Sequence, residues 1–231
     1  TSVVEMPNKV AEYISVCRQM GIQILPPDIN RGMYGFSVDK GAIRYALSAI
    51  KSIGRPVIEG IVREREEHGE YTSLKTFVER NINQINKRVV ENLIKAGALD
   101  CLEGNRKQKM FVYPQIIDSI NQDKKHSMAG QMSLFDIVSE EDKKEFEIRM
   151  PQIAEYTNDV ILAFEKDVLG IYLSGHPLEQ YRSMMEKMIS AKTSDFQPDD
   201  ETGIPEVYDN QKVIVGGMIT DKTIKYTKNN K

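Results

Sequence analysis

The chain has 231 residues, of which 40% are hydrophobic and 28% charged, and its formal net charge is -3. This length admits one large domain or two small ones, and the high charged fraction favours small cores joined by solvated connectors. No apolar run reaches the ~18 residues of a membrane span, no secretory signal opens the chain, and two distant cysteines argue against a disulfide framework or a zinc cluster. The cytoplasm is therefore the expected compartment, without a membrane partner.

The charges are distributed unevenly along the chain. Residues 136–147 are mostly acidic, whereas residues 71–110 are rich in basic side chains, namely Lys75, Arg80, Lys87, Arg88, Lys95, Arg106, Lys107 and Lys109. A basic stretch followed by an acidic one predicts a part that faces DNA and a part that stays away from it. Two solvated surfaces of opposite sign explain the same pattern, and the negative net charge by itself argues against nucleic-acid binding.

The sequence pattern of residues 7–69 predicts one strand among short helices. Apolar spacing predicts a helix over residues 7–20, and alternation predicts a strand over 34–38. A helix over about 41–51 is then expected to meet a tight turn at 52–55 and a second helix that ends near 68–69.

The next helix pair has the same design as the first. A helix over about 73–81 is expected to meet a turn at 85–88, and the helix after that turn is stopped by Gly97. The recurrence of helix, tight turn and helix indicates an internal repeat of about 35 residues.

The rest of the chain carries less core signal. Its predicted elements are a short helix over 107–120, a polar connector over 121–130, a helix over 157–173 ended by Gly175-His176-Pro177, and strands over 213–215 and 219–226. A lone two-strand ribbon is only marginally stable, so the sequence is expected to stop inside a β domain. His176 has no surrounding ligand cluster, which favours a hydrogen-bonded helix stop over a metal or catalytic role.

The turn after the first helix of the first pair is a candidate phosphate site. Its residues are Lys51, Ser52, Ile53, Gly54 and Arg55. Successive backbone N–H groups in such a turn can point at a phosphate oxygen, with a glycine admitting positive φ and close approach, and the following helix adds its positive N-terminal dipole. Binding of this kind is independent of base sequence and depends strongly on salt. An ordinary helical hairpin is the competing interpretation.

The second turn carries Asn86, Lys87 and Arg88 and has no glycine. Asn86 tolerates a left-handed backbone, and the two basic side chains can meet phosphate directly. A plain basic turn is the alternative. As the partner of the first turn, it would allow the pair to straddle a minor groove.

A third motif follows the polar connector. It consists of Gln131, Met132, Ser133, Leu134 and Phe135. Two large apolar side chains on an exposed peptide indicate docking into a pocket on a partner, with Gln131 fixing the register. The alternative is that Leu134 and Phe135 pin the connector to this chain's own core.

These motifs together resemble the bacterial DNA polymerase III alpha-subunit family, of the DnaE type. The resemblance rests on the wording and order of five segments, at residues 12–36, 49–54, 86–100, 165–178 and 213–228. In that family the pentapeptide corresponds to the motif that binds the sliding clamp, although Met132 stands where leucine is frequent and Ser52 where glycine is usual.

The resemblance implies a mainly α fold with a tandem helix-hairpin-helix domain, helical connectors and a short truncated β segment at the C-terminus. The implied domains are the end of the polymerase fingers (1–36), the tandem hairpins (37–105), a connector with the clamp peptide 131–135 (106–150), a helical connector (151–205) and the start of an OB domain (206–231).

The implied function is to hold duplex DNA and the sliding clamp within a replicase, alongside its other subunits, in support of processive synthesis. No catalytic residue, metal ligand or cofactor is assigned here, because the carboxylates that bind Mg²⁺ for nucleotidyl transfer belong to a palm domain that this sequence lacks. A helix-hairpin-helix repair protein and a non-catalytic interaction scaffold are the alternative functions.

Overall fold

The computed structural model describes residues 7–128, 148–199, 202–219 and 222–224, and within them the chain is mainly helical. The seven α-helices of these ranges are α1 (Pro7–Gln19), α2 (Arg55–His68), α3 (Leu74–Asn81), α4 (Lys87–Lys95), α5 (Arg106–Met128), α6 (Asn158–Leu169) and α7 (Arg182–Met188). Short 3-10 helices lie at Leu47–Ala49, Glu179–Tyr181 and Thr193–Phe196. The predicted mainly α class is confirmed.

A small sheet follows α1. Its strands are β1 (Ile24–Leu25), β2 (Ser37–Asp39) and β3 (Ala42–Arg44), in the order β1-β3-β2. β1 runs parallel to β3, with Ile24 opposite Ile43, and β2 runs antiparallel to β3, with Ser37 opposite Arg44.

The helix predicted over 41–51 is wrong. Lys40 and Gly41 both have positive φ, 51° and 83°, which is the geometry of a tight hairpin turn. The chain therefore returns along β2 as the strand Ala42–Arg44, and only a short 3-10 helix, Leu47–Ala49, precedes the first candidate turn.

The compact unit Thr1–Ser174 has one hydrophobic core. α4 packs against α5 and α6, and α3 packs against α2 and α5. Phe77, Val90 and Ile94 are fully buried among them. The buried residues of α4, Val89, Val90, Leu93 and Ile94, recur at helical spacing and form one face of that helix.

The polar connector predicted over 121–130 is partly helical, because α5 continues to Met128. A solvated helical extension needs no apolar period, and Lys124 Nζ donates to Asn83 Oδ1 over 2.7 Å. The stop predicted at Gly175-His176-Pro177 is also too late. α6 ends at Gly170, whose φ of 77° is left-handed and whose N–H donates to Lys166 O.

The second compact unit comprises Gly175–Lys231. The strand predicted over 213–215 is absent from the described residues, because the main chain of Ile214 bonds to Ser190 and Ala191 instead of to a strand. Half of the strand predicted over 219–226 lies outside the described residues, and residues 219 and 222–224, which are described, are not in a strand. The domain boundaries drawn from the sequence stay predictions. None of the helices within the described ranges is long and apolar enough to cross a membrane.

Candidate nucleic-acid interface

The first turn, Ser52–Arg55, leads directly into α2. The backbone of Ser52 is left-handed, with φ of 63°, whereas Gly54 has an extended backbone with φ of -72° and ψ of 151°. The positive φ that the sequence assigned to a glycine therefore falls on Ser52. Ile53 is 8% exposed and anchors the turn in the core, while its three neighbours are exposed.

The backbone amides of this turn are available to a ligand. Lys51 N–H donates to Val168 O over 2.8 Å, but the N–H groups of Ile53, Gly54 and Arg55 meet no acceptor within the described residues. Gly54 is the N-cap of α2 and makes no side-chain cap. The first turn thus joins unengaged donors to the positive end of a helix dipole, which is an arrangement suited to an anion.

The second turn, Ile85–Arg88, leads into α4 in the same way. Ile85 is 8% exposed, like Ile53, and the three residues after it are exposed. Asn86 has φ of -131°, so the left-handed backbone considered for it is not used. Its Oδ1 instead accepts a hydrogen bond from Val89 N–H at 3.0 Å and caps the helix.

The two turns lie side by side. Arg88 Nη2 donates to Ser52 Oγ over 3.0 Å, and Asn92 Nδ2 donates to Lys51 O over 2.8 Å. The turns also approach each other through α2, where a Cβ on Gly60 would collide with the side-chain amide of Gln84. The structure therefore brings both sets of candidate residues to one surface.

The basic side chains of this surface already have partners. Lys51 Nζ donates to Asp167 O at 2.7 Å, and Lys87 Nζ pairs with Asp118 Oδ1 at 2.8 Å. Exposed pairs of this kind contribute at most about 1 kcal/mol each, so a phosphate can replace them.

Arg55 is held in a similar way. Its guanidinium pairs with Glu59 at 2.8 Å and lies 4.8 Å from the centre of the Tyr34 ring. The hydrogen bond to Glu59 raises the pKa of Arg55, which stays charged at every physiological pH.

The basic stretch predicted to face DNA is partly buried. Arg106 is 6% exposed and bonds to Asp100, and Lys109 is fully buried with its Nζ donating to Gly104 O. Burial lowers the pKa of Lys109. Neither side chain can reach a phosphate, because the polar end of each is buried and bonded within the protein, Arg106 to Asp100 and Lys109 to Gly104 O.

The peptide Gln131, Met132, Ser133, Leu134 and Phe135 lies outside the described residues, so its docking role stays a prediction. Within the described ranges, three potential metal ligands converge at Glu64, Glu67 and His68. Glu64 is already bound by Arg80 at 2.9 Å and His68 at 3.0 Å. His176 accepts a hydrogen bond from Leu178 N–H at 3.2 Å, but it lies beyond the end of α6 at Gly170 and so is not the predicted helix stop.

Sequence reasoning missed three contributors to this surface, namely Tyr34, Asn92 and the last turn of α6. Asn92 carried a signal, because it is a polar side chain on the apolar face of α4 and is only 8% exposed. The contacts of Asp167 and Val168 with Lys51 join residues more than one hundred positions apart, and no local pattern reports such a pairing.

The geometry defines a helix-hairpin-helix protein: the second turn joins α3 to α4, and the first turn joins the 3-10 helix Leu47–Ala49 to α2. In agreement, the family model described as helix-hairpin-helix motif matches residues 21–109, a range that includes both turns and the helices around them.

Relatives extend this likeness over nearly the whole chain. The DNA polymerase III subunit alpha of Borreliella burgdorferi is 35% identical over 82% of this chain, and that of Vibrio cholerae is 33% identical over 99%. The Mycobacterium tuberculosis protein of the same name is 32% identical over 99%. This chain covers 17–19% of the length of these relatives. It belongs to the DNA polymerase III alpha-subunit family and corresponds to one segment of its members.

Proposed function

We propose that the two turns hold the backbone of duplex DNA as part of a replicative polymerase. The observation that carries the proposal is the exposed first turn, whose unengaged amides lie next to Arg88 of the second turn. Backbone amides and flexible Lys and Arg side chains bind phosphate without contacting bases, so the proposed binding does not depend on the base sequence of the DNA. A polymerase that moves along DNA requires contact of this kind.

Fluorescence anisotropy with a short blunt-ended duplex tests the proposal. Each neutralised phosphate contributes about -0.9 to the slope of log K against log salt, so a few contacts predict a slope of about -3. The double variant Gly54→Ala with Arg55→Ala should weaken binding about tenfold at low salt and flatten the slope by about 1.

The matched control is Lys75→Ala, because Lys75 is an exposed cation on α3 that pairs with Glu79. It should alter the affinity little. Wild-type binding that ignores salt would favour the interaction scaffold, since apolar docking does not release counterions. Loss of binding in the Lys75 control equal to that in the double variant would show a diffuse charge effect instead of a phosphate site.

We propose a second partner, the sliding clamp, for residues 131–135. Support comes from the likeness of this peptide to the clamp-binding motif and from the family to which the chain belongs. Leu134→Ala with Phe135→Ala should abolish capture by the purified clamp and leave the unfolding midpoint unchanged. Undiminished capture would refute this role, and Ser139→Ala, which lies outside the peptide, serves as the control.

The remaining assignments concern the whole polymerase. We propose that this segment contributes no catalytic residue and no cofactor site, and that Mg²⁺ for nucleotidyl transfer is held elsewhere in the enzyme. Other replicase subunits are the expected neighbours. We keep the bacterial cytoplasm as the proposed compartment, since chromosome replication takes place there.

A further inference from the structure

The last turn of α6 contacts the first candidate turn through the main chain. Val168 O accepts the N–H of Lys51 at 2.8 Å, and Asp167 O accepts its ammonium group at 2.7 Å. Lys51 immediately precedes Ser52, whose left-handed backbone is unfavourable for a residue with a side chain. A strained residue keeps its conformation only where its surroundings hold it from several sides.

Those surroundings are visible on both sides of Ser52. The Lys51 carbonyl accepts Asn92 Nδ2, and the Ser52 hydroxyl accepts Arg88. Both of these donors lie on α4. α6 supplies the bond to the Lys51 N–H, so α4 and α6 together fix the entry to the turn.

α6 is in turn fixed by a buried carboxylate. Glu165 is 1% exposed, and its Oε2 accepts the N–H groups of Leu173 and Ser174 at 2.8 and 2.9 Å. Its other oxygen lies 3.9 Å from Arg106 Nη1. The chain therefore turns at Gly170 and folds back onto α6, which sets the position of the last helical turn.

α6 is also joined to α4 directly. Lys95 Nζ lies 2.8 Å from Glu91, 3.7 Å from Asp167 and 5.6 Å from the centre of the Phe164 ring. The ammonium group of Lys95 therefore links α4, which follows the second turn, to α6, which contacts the first turn.

We propose that Glu165 is a positioning residue, which acts through α6 to hold the first turn in its phosphate-binding geometry without touching DNA. This inference rests on the proposed DNA-binding function. It assigns a role in DNA affinity to a helix that lies outside the paired hairpins.

Hydrogen exchange tests the positioning without DNA. In the wild-type chain, the Lys51 amide should exchange as slowly as the Gly170 amide, which donates to Lys166 O, and far more slowly than the Gly54 amide, which meets no acceptor in the described residues. Glu165→Gln should accelerate exchange at Lys51 and leave the buried amides of α3 unchanged. A Lys51 amide that exchanges as fast as Gly54 in the wild type overturns the proposal, whether or not the variant folds.

DNA affinity supplies a second test, because electrostatics and positioning predict changes in opposite directions. Glu165→Gln and Asp159→Asn each remove one negative charge from α6, and Asp159 is exposed in its first turn. Electrostatics alone predicts that both variants bind duplex slightly more tightly. Positioning predicts that Glu165→Gln binds about threefold or more weakly, a size typical of mutations that act through an intervening element, with an unchanged salt slope.

The outcomes distinguish a failure of the positioning role of Glu165 from a failure of the proposed DNA-binding function. If Glu165→Gln tightens binding as Asp159→Asn does, with Lys51 still protected, the positioning role is overturned while DNA binding stands. If the wild-type chain binds no duplex at any salt concentration, the proposed function fails. The exchange pattern then decides whether α6 holds the turn at all.

Discussion

The two turns of this molecule share a scaffold but differ in chemistry. Each has a buried isoleucine followed by the N-cap of a helix, Ile53 before Gly54 and Ile85 before Asn86. The Asn86 side chain occupies one amide of its own helix, whereas Gly54 leaves the amides of its helix open. The first turn therefore offers main-chain donors and the second offers side-chain charge, so equivalent backbone positions do not imply equivalent contacts.

The largest expected effect concerns the glycines that end the two helices. Gly69, after α2, has φ of 81° and open space around it, so Gly69→Ala should lose about 1 to 3 kcal/mol from backbone strain alone. Gly97, after α4, has φ of 77°, and a Cβ there would also collide with the Arg106 guanidinium. Gly97→Ala should lose about 1 kcal/mol more than Gly69→Ala in urea unfolding, because the Arg106 pair with the half-exposed Asp100 is disturbed as well. Equal losses would mean that Arg106 moves aside freely.

The N-caps should separate stability from DNA affinity. Asn86→Ala removes the cap of α4 and should destabilise the chain by about 1 kcal/mol. Gly54→Ala should change stability by less, because φ is -72° and the new Cβ meets only Pro56 Cδ at 3.7 Å. It should nevertheless weaken duplex binding, since a methyl group then stands beside the open amides. Paired denaturation and anisotropy measurements check this, and a large stability loss at Gly54 would contradict it.

A smaller effect is expected from the acidic partners of the two turns. Asp118→Asn frees Lys87, and Glu59→Gln frees Arg55. Each change should tighten duplex binding by up to about threefold at low salt, and the gain should vanish as salt screens the surface. Anisotropy titrations at several salt concentrations measure it. Weaker binding in either variant would show that the carboxylate orients its cation for phosphate.

The smallest effect should come from the strained serine. Ser52→Gly relieves a left-handed backbone but loses the hydrogen bond from Arg88, so the chain should gain less than about 1 kcal/mol. Ser52→Ala loses the bond without relieving the strain and should be slightly destabilised. Thermal unfolding of the two variants gives the comparison, and destabilisation by Ser52→Gly would show that the hydrogen bond dominates.

Apolar spacing predicted most of the helices, because a buried face recurs at helical period whatever surrounds it. It placed the helix after the first turn and both helices around the second turn within a few residues. It failed at residues 41–51, where the sheet partner of Ala42–Arg44 decides the structure. It also failed at Ile214, whose hydrogen bonds go to Ser190 and Ala191, residues that no local pattern connects to it.

The geometry of the two candidate turns was only partly predictable from the sequence. The turn residues were identified from turn chemistry, but the positive φ was assigned to a glycine when it belongs to Ser52. The burial of Lys109 was missed because a charged side chain in a basic stretch is usually solvated. The hold of α6 on Lys51 depends on tertiary packing alone.

The bare backbone of Gly60 has a mechanical consequence. The Gln84 side-chain amide fills the volume that a larger residue at position 60 would occupy, so the loop before α4 packs directly on the backbone of α2. If both turns bind one duplex as proposed, this contact limits how far their spacing can change. A duplex whose groove is wider or narrower than that spacing must deform to fit, so the elasticity of the nucleic acid, not that of the protein, would set the cost of binding bent or irregular DNA.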